Sequence, residues 1–188
     1  MSKTTVIKCQ LTGLRPLMFD RYAGDNNTQL PVHEKMYLME KDGKHLLTIP
    51  VINIFSLLCA ENTKSVCRQF FGRSGKTIGL GIASYTSIEP YEIPILDDGG
   101  PIEFTGFNDQ IKVHKSVARL PRGIPNPKER PVLSLPWGLE FVLTYQENKH
   151  ATLENVRQAV TMGGTLGLGT FRPYFGRYEL TGWDTQEA

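Results

Sequence analysis

A glycine-rich segment near the end of the sequence carries its strongest chemical signal. Four of the seven residues in Gly163–Gly169 are glycine, which lets a backbone approach a ligand more closely than side chains would allow. The following stretch, Phe171–Tyr178, interleaves two arginines with aromatic rings. Guanidinium groups neutralise phosphate, and aromatic rings stack on unpaired bases. We therefore predict contacts to single-stranded nucleic acid from Gly167, Gly169, Phe171, Arg172, Tyr174 and Arg177.

The aromatic residues of this segment also fit a second interpretation. If Phe171–Leu180 is a strand, Tyr174, Tyr178 and the final leucine share one face and would simply be core residues. Arg177 and Glu179 would then belong to a solvated face. Both interpretations stay open for the rings, whereas an anion is the favoured partner of the arginines.

A second candidate site is a local concentration of positive charge. Ile111–Pro131 contains six basic residues against the single acid Glu129, a local net charge of +5 in a chain whose total is only +2. The low total excludes a histone-like polycation, but the asymmetry indicates an anionic partner. We predict that four of these cations contact phosphate: Lys112, Lys115, Arg119 and Arg122.

The sequence contains no pattern that adds up to a catalytic centre. Gly72–Thr77 resembles the end of a phosphate-binding P-loop, but that pattern requires a preceding strand and a glycine where Phe70 stands. The four histidines have no metal-ligand spacing with one another or with the three cysteines, which we interpret as reduced structural thiols. We predict a protein that is not an enzyme and takes no metal and no small-molecule cofactor.

The order of strand and helix patterns indicates how these residues are positioned. Alternating apolar residues predict strands at Thr4–Thr12, Glu34–Glu40, His45–Ile49, Ile82–Ile95, Gln110–Leu120, Leu139–Tyr145 and Phe171–Leu180. Helical spacing predicts one helix that starts at Pro50, breaks near 61–63 and ends at Gly72, and a second that runs from Thr152 to Gly163-Gly164. These elements predict an α+β fold, with a ferredoxin-like or RRM-like antiparallel sheet, helices on one face and extended loop insertions.

Prolines mark one of these insertions. Residues 121–136 hold five prolines, so we predict an extended excursion there, neither a central strand nor a helix. The length suits a single domain over 1–188. There is no run of about 18 apolar residues and no signal-peptide pattern, so we predict no membrane partner and a cytoplasmic location.

Several motifs resemble those of a family of uncharacterised phage and prophage proteins. In that family a strand like Val113–Arg119 leads to an Arg-Pro step, here Arg130-Pro131, and then to a tryptophan, here Trp137. The family ends in Gly-x-Gly-x-x-Arg-Pro-x-x-Gly-Arg-Phe, which is similar to Gly167–Tyr178 with tyrosine as the last residue. Leu11–Met18 resembles its first strand and apolar loop. The resemblance implies a phage-type protein in the host cell.

A wider resemblance, at the level of the fold, is to the RAMP superfamily, the backbone-forming subunits of CRISPR effector complexes. Those proteins also carry an Ile-Pro step that opens a helix, here Ile49-Pro50, and a C-terminal glycine-rich loop. The resemblance implies an RRM-like core that binds single-stranded nucleic acid and stacks head to tail. The helix after Ile49-Pro50 departs from the family's small-residue and arginine pattern.

Three functional hypotheses follow. The first is a non-enzymatic phage-type protein that binds single-stranded RNA or DNA and assembles along it as a homo-oligomer. The second is a phage structural or inhibitory protein that acts through protein–protein contacts. The third is a RAMP-type RNA-processing enzyme with His114 or His33 as its acid/base group. Salt dependence of binding separates the first from the second, and metal-independent cleavage of RNA identifies the third.

Overall fold

Residues 3–25, 28–61, 64–119, 123 and 125–187 are described by the computed structural model of the chain. The strands are Thr4–Gly13 (β1), Leu17–Met18 (β2), Leu38–Lys41 (β3), Lys44–Pro50 (β4), Thr86–Glu89 (β5), Glu92–Asp97 (β6), Gly100–Pro101 (β7), Ile111–Arg119 (β8), Pro125–Leu133 (β9), Gly138–Gln146 (β10) and Tyr178–Glu187 (β11). The α-helices are Val51–Cys59 (α1), Val66–Phe70 (α2), Gly75–Tyr85 (α3) and Leu153–Leu166 (α4).

Two antiparallel sheets contain these strands. The larger has the order β11-β1-β10-β6-β4-β3, with β5 paired to β10 and β7 paired to β6. β1 and β10 pair from Thr4 opposite Gln146 to Thr12 opposite Gly138. Every second residue of β1 is buried, as at Ile7 and Cys9, because successive side chains of a strand point to opposite faces. One face of the sheet therefore contributes the core.

Helices cover that buried face. α1, α2 and α3 pack against one another, and α4 packs against α1, α2 and β11. Their buried residues, among them Ile54, Leu58, Val156 and Val160, join those of the strands in one hydrophobic core. An antiparallel sheet with helices on one face is the α+β, ferredoxin-like architecture that the sequence predicts.

The start of α4 agrees with the prediction and its end does not. Thr152 Oγ1 accepts a hydrogen bond from the Asn155 backbone N–H at 3.1 Å, and Asn155 Oδ1 accepts one from the Thr152 N–H at 3.0 Å. The helix nevertheless runs through Gly163-Gly164 to Leu166. A β-carbon at either glycine would collide with Tyr178. The glycine pair therefore lets α4 lie close to β11, and it does not end the helix.

The prediction that the proline-rich segment is an extended excursion without a central strand is wrong for Pro125–Leu133. This segment is β9, the middle strand of a three-stranded sheet with the order β2-β9-β8. The carbonyls of Glu129 and Pro131 point away from β8, since they accept hydrogen bonds from Lys35 Nζ at 2.7 Å and from the Phe19 N–H at 3.0 Å. In an antiparallel pair alternate residues bond to the same side.

The spacing of the prolines explains why they are tolerated. Pro125, Pro127 and Pro131 are an even number of residues apart, so the nitrogen of each lies on the side away from β8. The even-numbered residues between them make the ladder to β8, which is complete from Ile111 to Arg119. A proline in a central strand is costly only where its missing N–H faces a partner.

Helix α3 was missed by the sequence interpretation. The strand predicted at Ile82–Ile95 begins only at Thr86, after α3, and is divided into β5 and β6. Glycines lower the helix propensity of this segment, but packing requires them: a β-carbon at Gly75 would collide with the Cys67 carbonyl, and one at Gly81 with Ala151. In the same way the strand predicted at Glu34–Glu40 begins at Leu38, after a 3-10 turn at Val32–Lys35.

Two features are absent from the described residues, and the state of the three cysteines is defined. No helix there has the length and apolar character to cross a membrane. No group of three or more His, Cys, Asp or Glu residues there is arranged to hold a metal ion. Cys9, Cys59 and Cys67 are free thiols. Burial raises the pKa of Cys9 to about 12 and that of Cys59 to about 11.

Candidate nucleic-acid interface

The segment between α4 and β11 forms a loop, Gly167–Gly176, called the glycine-rich loop below. The prediction of a strand from Phe171 is wrong, because β11 begins only at Tyr178. Backbone hydrogen bonds attach the loop to β2 and the residue before it: Thr170 N–H donates to the Met18 carbonyl at 3.0 Å, and Gly176 N–H donates to the Pro16 carbonyl at 2.8 Å. These bonds bring the two ends of the sequence together at one site.

Glycine is required in this loop by close contacts within the protein. Gly169 has a φ of +75°, and a β-carbon there would collide with the Met18 carbonyl. Gly176 has a φ of +72°, and a β-carbon there would collide with the Leu168 carbonyl. Gly167 faces the Phe175 carbonyl in the same manner. The close approaches predicted for Gly167 and Gly169 are therefore made to backbone of the same chain, and a contact to nucleic acid stays a prediction for them.

Two aromatic rings of the loop are exposed. Phe171 is 51% exposed and Tyr174 is 68% exposed, so neither belongs to the core. Tyr178, which the strand interpretation placed on the same face as Tyr174, is buried and donates to the Val160 carbonyl at 2.9 Å. Phe171 and Tyr174 therefore belong to the surface, and Tyr178 belongs to the core. Phe171 also has a φ of +56°, a conformation that is rare outside glycine.

Each exposed ring lies beside a guanidinium group. Arg130 Cζ lies 5.1 Å from the ring centroid of Phe171, and Arg15 Cζ lies 5.6 Å from that of Tyr174. Both distances are within the range of a cation–π contact. Arg15 also donates a hydrogen bond from Nη1 to the Tyr174 carbonyl at 3.5 Å. The rings are consequently held in place at the surface.

Arg130 connects the glycine-rich loop to the small sheet. Its side chain is buried, donates from Nε to Asp20 Oδ2 at 2.6 Å and lies 3.5 Å from Ser116 Oγ. Because its charge is paired, this arginine supports the loop and is poorly placed to bind a phosphate. The sequence indicated Arg130 as one of the six basic residues of Ile111–Pro131 and as part of an Arg-Pro step, but the pairing with Asp20 depends on tertiary contacts.

The arginines predicted to bind phosphate differ in their exposure. Arg172 is exposed on the loop and donates to the Gly167 carbonyl at 3.4 Å, while partial burial lowers the pKa of its guanidinium. Arg177 is half-buried, and its Nε is buried without a hydrogen-bond partner among the described residues. Its carbonyl accepts from the N–H groups of Leu14 and Arg15 at 2.7 Å and 3.2 Å. Arg172 is the better placed of the two for an external anion.

The cations predicted on β8 do not share one face. Lys112 is exposed on the same face as His114, whose ring centroid lies 5.8 Å from that of Phe175 in the loop. Lys115 lies on the opposite face and pairs with Glu129 at 2.9 Å. Arg119 is the last residue of β8, and its side chain lies outside the described residues, as does Arg122. Of the two lysines, Lys112 therefore lies on the face of β8 from which His114 contacts the loop.

The residues considered for catalysis lie on separate elements of the fold. Gly72–Ser74 is a 3-10 turn that continues into α3, the helix that contains Lys76. In a P-loop the segment before the lysine follows a strand, so this arrangement differs from a P-loop. His33 lies 3.8 Å from Glu34 on an exposed turn. His114 contacts an aromatic ring of the loop.

The fold and the loop define a class of protein: an α+β chain with an antiparallel sheet, whose glycine-rich loop presents aromatic rings and cations. No protein-family model matches the chain, and no curated protein is similar to it. The resemblance to a phage family therefore stays a prediction.

A solved structure is similar to the chain in fold. It is a chain in the cryo-EM structure of the Type III-B Cmr-beta bound to cognate target RNA, with a TM-score of 0.58 and 10% sequence identity. The match covers 98% of this chain, which spans only 61% of the other. At this identity the likeness concerns the fold alone.

Proposed function

We propose that this protein binds single-stranded nucleic acid along the glycine-rich loop and does not act on it chemically. One observation carries the proposal: the loop holds two rings, Phe171 and Tyr174, at the surface, where each lies beside an arginine. Exposed rings that are held in place are suitable stacking partners for the flat faces of unpaired bases.

The charges around the loop support the same ligand. Arg172 and Arg15 are exposed on or beside the loop, and Lys112 is exposed on the strand whose His114 contacts it. Of the other arginines nearby, Arg130 is already paired with Asp20 and Arg177 is half-buried. Rings that stack on bases, with cations that track the backbone, form the usual surface for a single strand. The fold likeness to a chain of an RNA-bound assembly makes RNA the first ligand to test.

The test compares binding of four labelled ligands by fluorescence anisotropy: single-stranded RNA, single-stranded DNA, duplex RNA and duplex DNA. We expect the single strands to bind more tightly, because only unpaired bases offer their faces. A double variant, Phe171→Asn with Tyr174→Ala, should bind all single strands weakly. Asparagine is chosen because it tolerates positive φ better than other non-glycine residues. Equal binding of single strands and duplexes would contradict the proposal.

The proposal also includes self-assembly of the protein along the strand and a role in a phage. Cooperative binding is common among proteins that coat a single strand. Sedimentation velocity with and without a long single-stranded oligonucleotide tests it, and species larger than one protein per site length are expected. A protein that stays monomeric on a saturated strand would remove assembly and leave binding intact.

The absence of catalysis is tested separately. Labelled RNA incubated with the protein, with EDTA or with added divalent ions, is expected to remain full length. Cleavage that a His114→Ala variant lacks would favour the RNA-processing alternative. Purified protein that carries nuclease-sensitive material absorbing at 260 nm would support binding in the cell.

A further inference from the structure

A cavity of about 230 Å³ lies between the glycine-rich loop and helix α1. Its walls come from both sequence ends and from the helix, with Phe19, Tyr37, Asn53 and Arg172 among them. Pockets for drug-sized ligands usually measure about 300–1,000 Å³. This smaller cavity suits one flat ring system, but not a whole nucleotide.

The cavity has apolar surfaces that match the faces of such a ring. Phe19, Ile49 and Leu168 line it and are fully buried, and Tyr37 adds a half-buried aromatic ring. Aromatic and apolar groups around a base provide stacking and exclude water from it.

Polar groups at the cavity could recognise the edge of the same ring. The Asn53 amide and the hydroxyls of Ser56 and Thr170 line the cavity and make no hydrogen bond with the described residues. Asp20 also lines it, with one carboxylate oxygen bonded to Arg130 and the second available as an acceptor.

The carboxylate favours particular bases. A carboxylate accepts from an exocyclic amino group, and an asparagine amide both donates and accepts. Adenine, cytosine and guanine carry an exocyclic amino group. Uracil and thymine have none, and they offer the carboxylate of Asp20 a single N3–H group between two carbonyl oxygens that it would repel.

A wider cleft of about 600 Å³ adjoins this cavity. Gly169, Thr170 and Arg172 line both spaces, so the loop forms the wall between them. Phe171 lies on the side of the cleft. A strand in the cleft could therefore stack on Phe171 while the next base passes the loop and enters the cavity.

We infer that the cavity is a subsite for one nucleobase with an exocyclic amino group, which rests on the proposed binding of single-stranded nucleic acid. It adds base preference to a surface of rings and cations that would otherwise bind any sequence. Asn53 and Asp20 read the edge of the base, and the half-buried ring of Tyr37 contacts one of its faces.

The experiment measures the affinity of the full chain for homopolymeric RNA oligonucleotides of A, C and U at one salt concentration. Oligo(A) and oligo(C) are expected to bind at least about tenfold more tightly than oligo(U), the size of one good edge contact. Asn53→Ala removes an amide oxygen that can accept from the amino group, and it should lower the affinity for oligo(A) and oligo(C) toward that for oligo(U). Ser56→Leu places a larger side chain in the cavity from an exposed position of α1, and it should lower the affinity for oligo(A) and oligo(C) in the same way. This variant leaves the half-buried Asn53 intact. Gln158→Ala, an exposed amide on α4, is the matched control.

The outcomes separate this inference from the proposed function. If A, C and U oligonucleotides bind equally and Tyr174→Ala still weakens all three, the nucleobase subsite is overturned and the binding surface remains. If none of them binds, both are overturned. A base preference that survives in Asn53→Ala and in Ser56→Leu also overturns the subsite.

Discussion

Arg130 donates a hydrogen bond to Asp20 at 2.6 Å across 110 residues of sequence. The bond ties the small sheet to the segment that follows β2. Because the same guanidinium lies over the ring of Phe171, the pair also positions the glycine-rich loop. One ion pair, of which the arginine is buried, thus supports the surface to which we assign binding.

The first prediction concerns this pair. Asp20→Ala should lower the free energy of unfolding by about 2–3 kcal/mol, because it leaves a buried guanidinium without its partner. Urea denaturation followed by intrinsic fluorescence measures the change. Glu129→Ala is the control, since its pair with Lys115 is exposed and should contribute almost nothing. Equal losses in the two variants would argue against a structural role for the Asp20 pair.

The second prediction concerns the glycine-rich loop. Gly176→Ala should lower the free energy of unfolding by at least about 3 kcal/mol, because it combines a positive φ with a collision against the Leu168 carbonyl. Gly43 has nearly the same φ, +73°, with open space around it. Gly43→Ala should therefore cost only about 1–2 kcal/mol. The difference between the two thermal or urea transitions reports the close approach alone, and similar transitions would contradict it.

The third prediction concerns the charges. The logarithm of the binding constant for a single strand should fall linearly with the logarithm of the salt concentration. The slope is about −0.7 for each phosphate contacted. Lys112→Gln and Arg172→Gln should each reduce this slope by about that amount. Lys115→Gln, which removes a lysine of the same strand that faces the other way and is paired, should leave the slope unchanged. A slope that responds only to Lys115 would place the ligand on the opposite face.

The fourth prediction concerns stacking. Tyr174→Ala should weaken binding by about 1–3 kcal/mol at every salt concentration without changing the slope, because a stacking ring carries no charge. Tyr91 is equally exposed, at 68%, and belongs to a turn outside the loop. Tyr91→Ala should have no effect on affinity measured by anisotropy. A parallel loss in both variants would indicate nonspecific adhesion.

The fifth prediction concerns pH. Burial raises the pKa of Cys9 and Cys67 to about 12, from an ordinary value of 9.0 that an unfolded chain would show. Between these values the unfolded chain loses a thiol proton that the folded chain keeps, so stability falls as pH rises above about 9. Each thiol contributes up to about 1.4 kcal/mol per pH unit. Urea denaturation at pH 8, 9.5 and 11 should show this decline, and Cys9→Ala should show a shallower one. The same dependence in the variant and the parent would exclude this cause.

Local patterns were enough to predict much of the fold. β1 and β10 carry an apolar residue at every second position from Ile7 to Leu11 and from Leu139 to Tyr145, and Thr152 with Asn155 forms a cap from residues three apart. These features depend on neighbours in sequence, so the α+β class, the main strands and the start of α4 follow from the sequence alone. The presence of rings and arginines in the glycine-rich segment was equally visible.

Contacts between distant residues decided the rest. The glycines of α3 and α4 resemble helix breakers until the packing against Cys67, Ala151 and Tyr178 is known. The prolines of β9 resemble strand breakers until it is clear that their nitrogens face away from β8. In each case tertiary packing outweighs a local preference of about 1–3 kcal/mol.

The candidate site shows the same division. Residue types alone indicated Phe171, Arg172, Tyr174 and Lys112, because rings and cations suit a nucleic acid wherever they lie on a surface. Only the tertiary structure decided that Tyr174 is exposed and Tyr178 buried, and that Lys112 and Lys115 face opposite ways. The pairing of Asp20 with Arg130 and the cavity at Asn53 are products of chain segments far apart in sequence, which no local pattern encodes.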